Sequence, residues 1–403
     1  MIAVFVALIL SVFLFKKWET KFVLANHFYW FLISKLSAGI AVGLLYNYHY
    51  GDGDTFYFYK DALTVSRSSV STMFQFLING EWKGDEQLIF IHHYKALFYV
   101  RLISLPLWLC QCNYWALSVL LSLFSFWSIW LLSNKLVVFF KVNAKAVLVA
   151  FFYFPEVLFW SSGVMKETLS FSFQCLSLFS LLLLIEKKQR VVNMVLFTLF
   201  SYLLFRLKFY IAATFVPALI AYYMVFRLPK WKEIAFVGIY FFTLILATFS
   251  HPLLSIRGIT NEIYENALTI IKISEEGKFI PFHLFDGSFW SMLLEIPNAL
   301  LSALFRPFLW EGKNGLMAVI SLIRFDFLIA TLLAMYLCKR VTLEGVAVVC
   351  YGVLSVTLLT LSTPNYGTLS RYMVASMPFL LVLVLTIIIP FLIKAIQNID
   401  VDR

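Results

Sequence analysis

What this sequence is short of is charge. Only 13% of its 403 residues are charged and 62% are hydrophobic, whereas a soluble domain carries roughly a quarter charged residues and is about half apolar. A water-soluble globular fold is thereby excluded, and a bilayer is the expected surrounding. A concentrated basic face is also missing. The net charge is +10, yet the basic residues sit in short clusters between long apolar runs, which is how membrane topology is encoded. A nucleic-acid binder would gather them on one polar face, so nucleic acid is not an expected partner. Cysteine is scarce too. The five present (Cys110, Cys112, Cys175, Cys338, Cys350) lie in or beside apolar segments, and the C-x-C pair has no second pair to complete a metal site or a disulfide framework. No basic region precedes the first apolar run, so that run reads as a retained membrane helix, not a signal peptide. No internal repeat is visible, so the inverted-repeat signature of many transporters is missing.

What is present is a series of apolar runs near 2–15, 22–46, 113–133, 146–162, 168–185, 191–205, 209–226, 234–250, 316–338, 344–361 and 373–393. A spanning helix needs about 20 mostly apolar residues, or slightly fewer where flanking side chains snorkel. These runs predict an all-α polytopic membrane protein of about eleven transmembrane helices. Two shorter runs, 96–110 with Arg101 and Pro106 and 291–305 with Glu295 and Pro297, are expected to be re-entrant or interfacial helices on the outer face. With that count, the clusters Lys16/Lys17/Lys21, Lys135/Lys141/Lys145, Lys187/Lys188/Arg190, Arg227/Lys230/Lys232, Lys339/Arg340 and Lys394 all fall on one side, which should be the cytoplasm. Thirteen spans would instead put the clusters from Lys135 to Lys232 outside. The chain, 1–403, thus reads as a single integral membrane domain. Its outer loops are 47–95, 163–167, 206–208, 251–315 and 362–372, with 47–95 and 251–315 forming the extracytoplasmic active-site face.

Those outer loops hold most of the residues that could do chemistry. In the first, Asp52 and Asp54 flank Gly53, and a turn there brings both carboxylates toward one point. Such a pair suits a divalent cation, Mg or Mn, or supplies a general base; an ordinary solvated turn has the same composition. Tyr57 follows, in an aromatic stretch typical of the membrane interface. His92 and His93 could ligate a metal or transfer protons, or be a polar surface pair. Farther on, Pro155, Ser161, Ser162 and Gly163 end a helix just before Lys166 and Glu167 open the next. A lysine beside exposed helix N-terminal amides suits a phosphate, and a snorkelling lysine beside a glutamate is the plainer alternative. Glu156, in or near a span, is a functional candidate on position alone. In the largest loop Arg306, Trp310, Glu311 and Lys313 combine phosphate- and sugar-recognising residue types, which interfacial anchors share; Arg257, His283 and Asp286 are weaker candidates there. Finally, Arg371 and Tyr372 are expected to open the last span, with Pro378 deeper. An arginine there could clamp a phosphate bidentately, and it runs against the positive-inside bias.

The Asp52-x-Asp54 pair with Tyr57 and Tyr59 resembles the first-loop signature of the multi-spanning GT-C glycosyltransferases, and the run Arg371-Tyr372-x-x-x-x-x-Pro378 resembles one found near a late span in that superfamily. The stretch Ser161-Ser162-Gly163-x-x-Lys166-Glu167 is similar to one in bacterial envelope-polysaccharide membrane proteins. The resemblance implies an enzyme of the bacterial cytoplasmic (inner) membrane, working on its outer face. The donor it implies is a polyprenyl-phosphate- or diphosphate-linked sugar, and the acceptor a glycan, lipid or protein. Asp52 or Asp54 would be the base or hold the metal. Arg371, Arg306 and Lys166 would hold the donor phosphate, and Tyr57, His92, His93, Trp310, Glu311 and Tyr372 would face sugar or acceptor. An O-antigen-type polymerase, or a transporter or flippase of a lipid-linked saccharide, is the alternative. Two departures stand out. There is no large soluble C-terminal domain, and the N-terminus falls outside.

Overall fold

The computed structural model describes residues 2–51, 53–228, 230–250, 255–274, 279, 280, 282, 285–311 and 315–401. These are helical throughout, with turns and a single isolated β-bridge between Phe279 and Asn365. Seven helices among them are long and apolar enough to cross a membrane: Ala25–Tyr48, Tyr114–Phe140, Lys166–Ile185, Arg190–Leu207, Met317–Leu337, Leu343–Ser362 and Met377–Lys394. This is a multi-pass membrane protein.

The other expected spans take different forms. Ile2–Trp18 and Phe209–Val225 have 17 residues each, and Lys232–Ser250 opens on Lys232 and Glu233. The run 146–162 is broken. A short helix, Ala144–Leu148, passes into a π turn, Val149–Tyr153, and a second short helix, Pro155–Trp160, follows. The residue before a proline is pushed out of the helical region. Phe154 is accordingly extended, and Pro155 opens the next helix, where its missing N–H costs nothing. The interfacial candidates are the helices Tyr94–Leu109 and Phe289–Phe305.

The chain divides into two compact units, Met1–Ala212 and Ala213–Arg403. In the first, Tyr114–Phe140 is the central helix. Asn113 caps it by accepting from the Ala116 N–H at 2.9 Å, and Lys141, in the left-handed region, ends it. Its 27 residues amount to about 40 Å at 1.5 Å per residue, enough to cross a hydrocarbon core of about 30 Å. Of the buried serines on it, Ser122 and Ser128 donate back to the carbonyls of Ser118 and Phe124, one turn earlier, whereas Ser118 and Ser125 donate across to the carbonyls of Gly39 and Ser161. At one end of this helix, Lys135 pairs with Glu186, which also holds Lys188 at 2.8 Å, and Asn134 accepts from the Leu24 N–H. Two basic clusters and the turn that follows Lys21 thus meet at that end. At the other end is Tyr114.

In the second unit, Leu343–Ser362 is the central helix, and the helices Lys232–Ser250, Ile256–Ile273, Phe289–Phe305 and Met377–Val401 pack on it. Thr342 caps its start, and the Tyr351 hydroxyl donates to the Ala375 carbonyl at 3.0 Å.

Candidate functional site

In the first unit, the predicted loop 47–95 is largely helical. Asp54 opens the helix Asp54–Arg67, with Gly53 before it. A side chain at residue 53 would put its Cβ 2.7 Å from the Tyr46 ring, so the glycine lets the chain turn against that ring. The helix is then seated on the Tyr114 end of the central helix. The Thr55 hydroxyl bonds the Tyr114 hydroxyl at 2.8 Å, the Phe56 ring stacks on the Tyr114 ring, and the Tyr59 hydroxyl donates to the Cys112 carbonyl at 2.8 Å.

Lys166 reaches the same end by a different route. Gly163, at φ +74°, takes a conformation open to glycine, and its N–H donates to Ser122 on the central helix at 2.9 Å. That turn delivers Lys166 to the start of the helix Lys166–Ile185. The Lys166 ammonium lies over the Phe58 ring, 4.7 Å from its centroid, and Phe58 is one turn after Asp54 on the same helix face. Next to Lys166, Glu167 forms a buried ion pair with Lys208 at 2.6 Å, the two side chains 3% and 5% exposed. The acidic head of one helix and the basic head of another therefore share one end of this unit.

The other predicted residues of this unit are placed less centrally. Asp52 lies outside the described residues. Tyr57 is half-buried and carries Lys60 over its ring at 5.2 Å. His92 and His93 are exposed; His93 precedes the helix Tyr94–Leu109, and its ring sits edge-on to Phe90. Among the described residues, no three His, Cys, Asp or Glu side chains gather as a metal site. The expected divalent-cation pair includes Asp52, so it lies partly outside the described residues.

In the second unit, the Arg306 guanidinium makes a forked contact with Glu311, its Nε donating to both carboxylate oxygens at 3.1 Å and its Nη2 to Oε1. Glu311 also accepts from the Phe308 N–H at 2.8 Å. These bonds hold the pair in its charged form. Glu311 lies below the ordinary carboxylate value although burial pushes it up, because Arg306 and the Phe308 N–H outweigh burial; Arg306 is raised by its bond to Glu311. The fork expected to hold a phosphate is thus turned onto a carboxylate. Trp310 stacks on Phe308 and is otherwise exposed. The Arg306 guanidinium also lies 5.8 Å from the centre of the Tyr366 ring. Tyr366 begins the short helix Tyr366–Tyr372, so Arg306 and Arg371 are in the same neighbourhood. Arg371 and Tyr372 do not open the last long helix, as the sequence suggested. They end this short one, Arg371 sitting 5.3 Å from the Tyr372 ring centre, and Met377–Val401 begins afterwards with Pro378 in its first turn, where proline is tolerated. The loop is pinned by Asn365, which accepts from the Thr368 N–H and donates to Ser274 at 2.9 Å. Arg257 and Asp286 are exposed, and His283 and Lys313 lie outside the described residues.

Three side chains matter more than the sequence suggested. Asp61 is buried and accepts from two consecutive N–H groups, Ile89 at 2.8 Å and Phe90 at 2.9 Å. Burial raises its carboxyl above the ordinary value despite those bonds. Its signal was its place on the Asp54–Phe58–Asp61–Val65 face. Lys208 was legible only as a basic residue in a three-residue outer loop. Lys35, a charge within the expected span 22–46, is 1% exposed and donates to the Ser161 hydroxyl at 2.5 Å. Comparison with family models, curated proteins and solved structures finds no match to this chain.

Proposed function

We propose that this chain is a membrane glycosyltransferase of the GT-C kind, moving a sugar from a polyprenyl-phosphate or polyprenyl-diphosphate carrier to a glycan, lipid or protein acceptor. On this reading it sits in the bacterial cytoplasmic membrane with eleven spans and two interfacial helices, and works on the outer face. The observation that carries the reading is in the first unit, where Lys166, heading one helix, lies over the ring of Phe58, one turn after Asp54 at the head of another. Glycosyl transfer needs a base for the acceptor hydroxyl and positive charge for the departing phosphate. Asp54 supplies the first and Lys166 the second. Arg371, a phosphate ligand by its resemblance, belongs to the second unit and is tested by its own variant.

A second reading rests on one observation. Lys35 is buried beside the broken segment Ala144–Trp160, bonded to Ser161, which caps the end of its second half. An ionisable group against an interrupted membrane helix is the arrangement of a carrier, here of a lipid-linked saccharide. The decisive experiment compares Asp54→Asn, Lys166→Gln, Arg371→Ala and Lys35→Met at matched expression, scoring surface glycan. The enzyme reading expects glycan to be lost in the first two. Normal glycan in Asp54→Asn, Lys166→Gln and Arg371→Ala sinks it, and loss confined to Lys35→Met selects the carrier. Sidedness is checked with cysteines placed at Tyr48 and Gly367, which should label from outside.

A further inference from the structure

The helix Val70–Asn79 carries three distinct rows of side chains. Met73 and Phe76 are buried in the first unit, Ser71, Gln75 and Asn79 form an exposed polar row, and Val70, Phe74 and Ile78 form an apolar row 59%, 44% and 75% exposed. Its ends are closed by its own sequence, with Ser69 accepting from the Thr72 N–H and Gly80 in the left-handed region. A ten-residue helix with an uncharged polar row beside an exposed apolar one is shaped for the plane where headgroups meet acyl chains.

Its position relative to a membrane helix is fixed by Arg101. That guanidinium donates from Nη2 to the carbonyls of Leu77 at 2.6 Å and Ile78 at 3.0 Å, and sits 5.9 Å from the centre of the Phe98 ring. Arg206 sits 4.6 Å from the same ring and donates to the Tyr202 hydroxyl at 3.0 Å. Arg206 lies in the last turn of Arg190–Leu207, one of the seven membrane-length helices. The exposed side chains of that helix, Val191, Val195, Leu199 and Tyr202, run as one apolar stripe toward Arg206. Two guanidiniums therefore flank one ring at the end of an acyl-length apolar track. Their partners among the described residues are carbonyls, a phenol and rings, with no carboxylate, and the buried Arg101 Nε has no hydrogen-bond partner.

We propose that Arg101 and Arg206 bind the phosphate headgroup of an anionic bilayer phospholipid, whose chain lies along the Val191–Tyr202 stripe while Val70–Asn79 rests in the same leaflet boundary. Guanidinium forks match phosphate oxygens geometrically, and the bound anion offsets the repulsion between the two cations. The site depends on the chain being a membrane protein and not on glycosyl transfer.

The test uses the purified full chain in neutral detergent and follows thermal unfolding while phosphatidylglycerol, phosphatidylcholine of the same chain length or inorganic phosphate is added. Phosphatidylglycerol should stabilise the protein at lower concentration than either of the others. Arg206→Gln should raise the half-saturating phosphatidylglycerol by about fivefold, and the Arg101→Gln/Arg206→Gln double variant by about thirtyfold. Because Arg101 also holds the end of Val70–Asn79, Arg206→Gln alone carries the decision if the double variant does not fold. An unchanged half-saturation in Arg206→Gln overturns the proposal. So does equal stabilisation by inorganic phosphate, or saturation by a polyprenyl phosphate that phosphatidylglycerol cannot displace.

Discussion

Lys208–Glu167 in the first unit and Arg306–Glu311 in the second are both close ion pairs, but their surroundings differ. The first is almost fully buried, at 5% and 3% exposure, whereas both members of the second are 21% exposed. Taking charges out of water is costly, and each member of a buried pair is tolerable only because the other is present. A rim pair can exchange its partner for water at little cost. The first unit therefore uses charge to hold its architecture together beside Lys166, which lies over the ring of Phe58 on the helix that Asp54 opens. The second keeps a charge pair that can open, near Tyr366 and the short helix that ends in Arg371.

The strongest way to break this contrast is Lys208→Met, which takes the paired ammonium away from the buried Glu167 carboxylate. It should cost about 3–5 kcal/mol, read as a large fall in unfolding temperature in detergent, and adding Glu167→Gln should recover much of it. An unshifted melting curve would mean that water reaches the pair. Asp61→Asn comes next. The amide leaves one oxygen to accept where two N–H groups donate, at a cost of about 1–3 kcal/mol. Hydrogen exchange should quicken at Ile89 and Phe90 and stay unchanged in the second unit; equal protection of both amides would remove Asp61 as the clamp. The smallest effect is expected of Glu311→Gln, about 1 kcal/mol or less. Its sign with pH is fixed. The Glu311 carboxyl is held below its ordinary value of 4.5, so the pair's contribution is present above that pH and lost as pH falls through the folded value. A wild-type-minus-Glu311→Gln stability difference that grows on acidification would contradict this.

How far the sequence could be read is clearest at the candidate site. Asp54 and Lys166 were legible because each sits beside turn-forming residues between apolar runs, a local signal. The helix content of 54–79 is legible too, in the face formed by Asp54, Phe58, Asp61 and Val65, although hydropathy alone assigns this polar stretch to an outer loop. Glu167 was read beside its neighbour Lys166, yet it bonds Lys208, 41 residues away. No local pattern encodes such a partner, since it depends on which helices become neighbours. The same holds for Lys35 and Ser161, which are 126 residues apart.

The sequence by itself determined the solvent of this protein, its helical class and the position of its basic clusters. Hydropathy and charge act residue by residue along the chain and need no partner to have their effect. Only the tertiary structure decided which charges are buried together, that the run before Ser161 is broken in two, and that Arg306 turns to Glu311. Those outcomes are set by desolvation and hydrogen-bond satisfaction, and both depend on what packs against a side chain.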